Sequence, residues 1–511
     1  LRDLSLEYIE SRKDMAGQVY LAVDIGASSG RLVAGEFDGT RISLEEVYRF
    51  DNGGVSAGRY VHWDVLEQWS HIKQALQQAV VRYGNTITSV GVDTWGVDFG
   101  LLGPNDELLA NPIHYRDSHT EGMMEYAFEQ VSRSEIFNQS GLQFMRFNTL
   151  YQLLALQNIN SPLLDAAESM LLMPDLFHWL LTGEKANEYT NATTTQFYNP
   201  QKKRWATELF NSFSLPQKLL GEVVPPGTEL GPLRGAISRE LGGANFKVVL
   251  PGTHDTASAV MAVPAVGELS DQPDWCYISS GTWSLMGVEI ANPIISEECQ
   301  SLNFTNEGGV GDSIRLLKNI AGLWLVQECR RVFNAGGQSY DWDELVKIAT
   351  TAAPLVSLID PDDECFVAPE SMPDAIKDYC RKTGQTVPET DGAVIRCALE
   401  SLALRYQMVL QMLERLTGGS IKTVHIVGGG IKNRLLCQLT ANACSRSVVT
   451  GPIEATAIGN LMVQLISSGA VSSIAEARKI IRYSFGQETY VPDTSGDWIS
   501  ASARFSNLVN A

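Results

Sequence analysis

The chain has 511 residues, 44% of them hydrophobic and 19% charged, with 44 Gly and 20 Pro, a composition that excludes disordered and collagen-like classes and allows a sizeable buried core. At about 150 residues per domain the length gives about three units, or two large lobes. The balance of 59 acidic against 39 basic side chains, net −20, argues against nucleic acid and anionic membranes as partners. Small anionic ligands stay open, because local donors outweigh a field that salt screens within about 10 Å.

Residues 1–18 mix acids and bases without an apolar h-region, so they read as an N-terminal extension and not as a secretory signal. No later segment makes an uninterrupted apolar span: MLLMPDLFHWLLTG is cut by Pro174, Asp175 and His178. From Val19 the phrases VYLAVDIG, RLVAGEF and TRISLEEVYRF, separated by GASSG and by the Asp38-Gly39 turn, predict three strands in tight hairpins. Residues 65–83 carry apolar positions at helical spacing, and SVGVDTWGVDFGLLGPNDELL predicts two strands around Gly96 with a turn at Pro104-Asn105. From about 119 to 215 helical periodicity dominates, with a loop centred on NATTTQFYNP. The sheet resumes at FKVVLPG, THDTASAVMAV starts a helix, and the polar VGELSDQPD marks a boundary between lobes.

The opening phrase then recurs. DWCYISSGTWSLMGVEI is again strand, small-residue turn, strand, and Arg31 and Thr282 stand 251 residues apart, close to half the chain, as a duplicated fold would leave them. A helix at about 391–417, the strand KTVHIVGGG, a helix at NRLLCQLTANACS, the strand SVVTG and a helix at EATAIGNLMVQLISSG complete a second α/β lobe. The eight cysteines, at 276, 299, 329, 365, 380, 397, 437 and 444, include no C-x-x-C pair, which predicts reduced thiols in a cytoplasmic protein. Spacing leaves a Cys380–Cys397 or Cys437–Cys444 bridge open.

Three phrases carry chemistry. In VDIGASSGR a strand delivers Asp24 to its carboxyl end, and the turn after it offers backbone N–H groups, hydroxyls and the Arg31 fork to an anion; an ordinary hairpin turn is the plainer alternative. The same letters satisfy G-x-S-x-G, but strand and turn follow where a nucleophile elbow needs a helix. Walker and dinucleotide fingerprints are absent. In LPGTHDTASAV, Asp255 sits at a strand end and helix start, placed either as the N-cap for Ala257 or Ser258 or as an acceptor of a hydroxyl proton in phosphoryl transfer. In IVGGGIKNRLL three glycines allow a flat ligand against bare backbone, with Asn433 and a helix N-terminus nearby, or simply tight strand–helix packing. Of seven histidines, His254 stands out through its neighbour Asp255.

Together VDIGASSGR, GVDTWGVDFGLL, GTHDTASAV, SSGTWSLMG, NEGG, LKNIAGLWLVQE, SLALRYQ, VGGGIKN and GPIEATAIGN resemble, in order from about Val19 to about Phe485, the FGGY family of carbohydrate kinases of the actin-like superfamily. The resemblance implies an α/β fold of two ribonuclease-H-like lobes, 19–262 and 263–490, with a nucleotide and sugar cleft between them and a tail at 491–511. It implies an ATP site formed by Ala27, Ser28, Ser29, Gly30, Arg31, Thr282, Gln327 and Gly429, with Asp24 holding Mg²⁺ through water. It implies a sugar site formed by Gly96, His254, Asp255, Thr256 and Asn319, with Asp255 as base. The reaction implied is phosphorylation of a ketose, L-rhamnulose, at O1 from ATP; fuculose, xylulose or glycerol as acceptor, or an actin-like ATPase switch, are the alternatives.

Overall fold

The computed structural model describes residues 17–493 and 495–509, and the extension expected at 1–18 falls almost wholly outside them. The chain divides into two units. The first comprises residues up to Leu269, Ile290–Leu316 and Ala455–Phe485; the second comprises Ser270–Glu289, Leu317–Glu454 and the stretch from Gly486.

The first unit is built on a six-stranded sheet. Strand β1 (Gln18–Ile25) pairs antiparallel with β2 (Ser29–Phe37), which pairs antiparallel with β3 (Ile42–Asp51). On its other edge β1 pairs parallel with β4 (Ile87–Thr94), followed by β6 (Lys247–Val249), parallel, and β5 (Glu229–Pro232), antiparallel. The order is β5-β6-β4-β1-β2-β3. The central strand reads QVYLAVDI without polar alternation because it is covered on both faces, all of it past Gln18 being buried.

Helix Val65–Tyr83 packs on this sheet. It starts where the Asp64 carboxylate accepts the Glu67 N–H, buries Val65, Gln68, Ile72, Ala75, Leu76 and Ala79 at helical spacing, and stops at Gly84 with φ 54°. Its buried side chains join Leu21, Val23, Val90, Val92, Trp63 and Phe177 in one core, each large apolar side chain stabilising by about 1.5–3 kcal/mol. The helix Ala455–Ser467, although late in sequence, belongs to this unit: Gln464 Nε2 donates to the Leu21 carbonyl (2.9 Å), and Asn460 Nδ2 donates to the Gly91 carbonyl (3.2 Å).

In the second unit β7 (Trp275–Ser280) pairs antiparallel with β8 (Trp283–Ile290) and parallel with β10 (Thr423–Val427); β10 pairs parallel with β11 (Ser447–Thr450), and β11 antiparallel with β12 (Thr489–Tyr490). With β9 (Ile314–Ala321) beside β8, six of the seven strands of this sheet run in the order β9-β8-β7-β10-β11-β12. These six repeat the pairing order β3-β2-β1-β4-β6-β5, although β5 precedes β6 in the chain and β12 follows β11, so the recurrence at 251 residues is one of the sheet's pairing pattern.

One expectation is corrected. The phrase NATTTQFYNP is not simply a loop: a helical turn at Tyr189–Ala192 and a 3₁₀ turn at Thr193–Thr195 lie in it, and every residue from Asn187 to Pro200 is buried. Its hydroxyls are satisfied locally, Thr193, Thr194 and Thr195 donating to the carbonyls of Thr190, Asn191 and Ala192 at 2.7–2.9 Å. Neither cysteine bridge left open by spacing is formed; the Cys380 and Cys397 thiols are hydrogen-bonded to each other, and Cys437 lies 3.9 Å from the Ile431 carbonyl.

Candidate active site

The β1–β2 register fixes the first cluster. Asp24 lies opposite Arg31 across the hairpin and beside Asp93 on the parallel strand β4. Gly26 N–H donates to the Ser29 carbonyl (2.9 Å), closing the turn, and Asn52 Nδ2 donates to the Gly26 carbonyl (2.7 Å). Gly30 cannot be replaced cheaply, since a Cβ there would meet the Phe50 ring at 2.1 Å. Ser28 is exposed and Ala27, Ser29 and Arg31 are half-buried, so the turn is open to a ligand. Arg31 donates from Nε and a terminal nitrogen to Asp24 Oδ2, at 3.0 and 2.6 Å, so the fork expected to face phosphate also clasps Asp24.

The second cluster stands at the carboxyl ends of β4 and β6. Thr94 forms a parallel bridge to His254, its N–H donating to the Thr253 carbonyl at 2.9 Å. Helix Asp255–Met261 begins with Asp255 itself. The cap is His254, whose carbonyl accepts the N–H groups of Ala257 (2.7 Å) and Ser258 (3.2 Å), which corrects the reading of Asp255 as N-cap. The Asp255 carboxylate instead accepts the Thr256 hydroxyl at 3.1 Å, stands 3.4 Å from His254 Nε2, and keeps 32% of its side-chain surface exposed. Desolvation in this recess raises its pKa, His254 draws it back and Asp24 pushes it up.

Buried charges hold this loop. Glu188, with no exposed surface, accepts the Thr253 N–H (3.0 Å) and hydroxyl (2.7 Å) and the Thr190 N–H (2.9 Å). Thr190 Oγ1 accepts the His254 N–H at 3.2 Å. On the other side Arg315, fully buried, donates to His254 Nδ1 (3.1 Å) and to the Gly308 carbonyl (2.8 Å) and pairs with Glu307 Oε2 (3.1 Å). Burial alone would raise Glu307, but the Arg315 charge and His254 hold it below the usual carboxylate range. His254 Nδ1 also stands 3.2 Å from Glu307 Oε2, so the ring is held between Arg315 and Glu307 on one side and Asp255 on the other.

Asp93 is fully buried. Its Oδ2 accepts from Asn460 at 2.6 Å while its Oδ1 has no partner, and burial and the Asp24 charge push its pKa well up. Asp24, Asp93 and Asp255 thus make a field of one sign. Among the described residues no three His, Cys, Asp or Glu side chains converge on one metal position. Asp24 and Asp93, side by side on paired strands, offer carboxylate oxygens of the kind that suit a hard cation held partly through water and phosphate oxygens.

In the second unit, β7 and β8 repeat the hairpin: Gly281 N–H donates to the Trp283 carbonyl (2.9 Å). Leu323 and Trp324 donate to the carbonyls of Gly281 and Thr282 (2.9 and 3.1 Å), which seats helix Trp324–Ala335 on the turn and brings Gln327 to 3.2 Å from the Thr282 hydroxyl. A cavity of about 500 Å³ opens here, lined by Gly281, Gln327, Trp342, Gly429, Gly430 and Asn433 among others. Gly428 has φ 85°, and a Cβ at Gly430 would lie 2.0 Å from Ser280 Oγ, so these two glycines let the β10 loop close against β7. Asn433 spends its carbonyl oxygen capping the next helix, accepting the Leu436 N–H at 3.0 Å.

Of the expected site residues, Asp24, Ala27–Arg31, Gly96, His254, Asp255 and Thr256 lie in the first unit, and Thr282, Gln327, Gly429 and the half-buried Asn319 in the second. Thr282, Gln327 and Gly429 share one neighbourhood. Sequence patterns do not single out Glu188, Arg315 or Trp342; Asp93 stands inside the phrase GVDTWGVDFGLL and Glu307 inside NEGG.

Models of the FGGY family of carbohydrate kinases match the chain twice, the N-terminal domain over residues 19–262 and the C-terminal domain over 276–468. The chain is 45% identical over 492 residues to a rhamnulokinase of Bacteroides thetaiotaomicron, covering 96% of this chain and 99% of that protein. It is 38% identical to a rhamnulokinase of Bacillus subtilis, covering 93% and 95%. Among solved structures it is similar to a ligand-bound xylulose kinase of Lactobacillus acidophilus (TM-score 0.78, 16% identity, 96% of each chain) and to Plasmodium falciparum glycerol kinase with ADP (TM-score 0.76, 12% identity, 96% and 98%).

Proposed function

The chain belongs to the FGGY family of carbohydrate kinases, and on that premise we propose that it transfers the γ-phosphoryl group of ATP to O1 of L-rhamnulose in the cytoplasm, yielding L-rhamnulose 1-phosphate and ADP in L-rhamnose catabolism. The observation that carries the chemistry is Asp255: a partly exposed carboxylate at the sheet's carboxyl end with a raised pKa, oriented from behind by His254. The names of the relatives support the choice of sugar.

Asp255 accepts the O1 proton as O1 attacks phosphorus, a step in which position counts for more than basicity. His254 restrains the carboxylate, and Gly96, His254, Thr256 and Asn319 bind the ketose. The amides of Ala27–Gly30 and the Arg31 fork surround the transferring phosphoryl group and stabilise its developing charge. Thr282 and Gln327 bind phosphate oxygens, and Gly429 lies along the adenosine, for which the glycine-lined cavity has room. Asp24, which also pairs with Arg31 and lies beside Asp93, would hold Mg²⁺ through water. When bound, the ion would supply positive charge against the transferring phosphoryl group.

A coupled assay of ADP formation over L-rhamnulose, L-fuculose, xylulose and glycerol tests this reading. The expected result is a kcat/KM for L-rhamnulose above that for every other acceptor. A higher value for another sugar reassigns the substrate, and ADP formation at one rate with or without sugar removes the kinase reading.

A further inference from the structure

The turn between β1 and β2 is held from the side of β3 by a residue to which no role has yet been given. Asn52 directly follows β3 and bonds the turn twice: its N–H donates to the Ser28 carbonyl at 3.1 Å, and its Nδ2 donates to the Gly26 carbonyl at 2.7 Å. In a trans peptide unit the C=O and the N–H of the next residue point in opposite directions. Two carbonyls drawn toward Asn52 therefore turn the N–H groups of Ala27 and Ser29 the other way. An outward N–H is a donor for an anion, whereas a flipped peptide would present a carbonyl oxygen to it. Among the described residues the Ser29 N–H does not return to the Gly26 carbonyl, the bond that would close an ordinary two-residue hairpin.

The Asn52 amide is itself oriented. Its Oδ1 accepts Gln68 Nε2 at 2.7 Å, which leaves Nδ2 facing Gly26. Gln68 is only 3% exposed, on a helix face otherwise made of Val65, Ile72, Ala75, Leu76 and Ala79, where an apolar side chain would avoid the cost of burying an amide. Three residues further along the same helix, His71 stacks on Phe50 with ring centroids 4.6 Å apart, and Phe50 is the ring that a Cβ on Gly30 would strike. Helical spacing of three thus meets extended spacing of two: Gln68 supports Asn52 under Gly26 and Ser28, and His71 supports Phe50 under Gly30. This is more restraint than a chain reversal needs.

We infer that Asn52 is a positioning residue for phosphoryl transfer: it fixes the 26–27 and 28–29 peptide units so that the turn offers N–H groups to the transferring phosphoryl group, and Gln68 acts through it by orienting its amide. The inference rests on the kinase reading above. Donors fixed before ATP arrives need no reorganisation as charge develops on the phosphoryl oxygens, so their loss falls on kcat and spares the binding of ADP, which lacks that group.

The test uses the full chain with Asn52→Ala, Gln68→Ala and the double variant, in steady-state kinetics with L-rhamnulose and in calorimetry with ADP. Asn52→Ala is expected to lower kcat by about tenfold or more, with the ketose KM and the ADP affinity each within about threefold of the parent. Gln68→Ala is expected to lower kcat by about threefold or more, and the double variant to lie within about twofold of Asn52→Ala, because the orienting amide adds nothing once the oriented one is gone. A kcat for Asn52→Ala within about twofold of the parent overturns the inference, as does an ADP affinity that falls as far as kcat, the mark of a merely structural role. Effects of the two substitutions that multiply overturn the action of Gln68 through Asn52. If Asn52→Ala fails to fold, Gln68→Ala decides, an unchanged kcat overturning the inference. A parent enzyme that phosphorylates no ketose defeats the kinase reading and this inference with it; a parent active on L-rhamnulose beside unaltered variants defeats the inference alone.

Discussion

The Glu188 carboxylate accepts both the N–H and the hydroxyl of Thr253, at 3.0 and 2.7 Å, two residues before Asp255. A carboxylate with no exposed surface in this position fixes the loop through charge-assisted bonds, each stronger than a neutral one. Glu188→Gln exchanges one acceptor oxygen for a donor and leaves a Thr253 or Thr190 group unsatisfied. The expected outcome is a loss of about 1–3 kcal/mol in stability and a fall in kcat of about tenfold or more. Thermal melting and ketose-dependent ADP release measure the two; unchanged kcat would show that the loop needs no such anchor.

The pH profile reads the Asp255 environment. Its carboxyl is raised above the ordinary 3.8 by desolvation and drawn back by His254. Only the ionised form accepts a proton, so kcat/KM for the ketose is expected to fall as pH is lowered through this raised pKa. His254→Asn removes the downward pull, and the acid limb should move to higher pH. A limb that stays in place in His254→Asn would dissociate the two residues.

On the nucleotide side, Gly430→Ala puts a methyl group 2.0 Å from Ser280 Oγ, in the wall of the glycine-lined cavity. The β10 loop must shift, and the ATP KM is expected to rise by about tenfold or more while the ketose KM stays within about twofold. Equal effects on both substrates in steady-state kinetics would remove adenosine from this cavity.

His178 gives a stability prediction of known sign. Its Nε2 accepts the Val92 N–H at 3.0 Å inside the core, and burial lowers its pKa from 6.5 to about 3. The unfolded chain therefore takes up this proton first as pH falls, so the stability present above about pH 6.5 is lost progressively toward pH 3, by up to about 1.4 kcal/mol per pH unit. The buried acids Asp98, Asp175 and Glu188, with raised pKa values, slope the other way. The informative quantity is thus the difference between parent and His178→Gln: denaturant unfolding between pH 5 and 7 should be less acid-sensitive in the variant. Equal slopes would contradict a neutral buried His178.

Local rules were enough for the hairpins at Gly26–Ser29 and Gly281–Thr282, because period-two apolar runs and small-residue turns act over a few residues. They were enough for helix Val65–Tyr83 too, which Asp64 starts and Gly84 ends. What stayed hidden depends on distant pairing. That the helix Ala455–Ser467 belongs with the first sheet is written in Asn460 and Gln464, whose amides meet Asp93 and Leu21 more than 360 residues away. The buried Thr190–Gln196 stretch looked like a loop because polar residues usually seek water; here the hydroxyls of Thr193, Thr194 and Thr195 each find a carbonyl three residues back, and that of Thr190 the Glu188 carboxylate. Asp255 was visible as a strand-end carboxylate, but its release from the cap by His254 follows only from backbone geometry.

The central claim is that Asp255 takes the proton from O1 of L-rhamnulose, and the most direct measurement is L-rhamnulose-dependent ADP formation by Asp255→Asn beside the parent, with ATP binding measured on both by calorimetry. The expected result is turnover reduced by about a thousandfold or more, within the range for loss of a general base, with ATP affinity within about twofold of the parent. Turnover by Asp255→Asn within about threefold of the parent would contradict it.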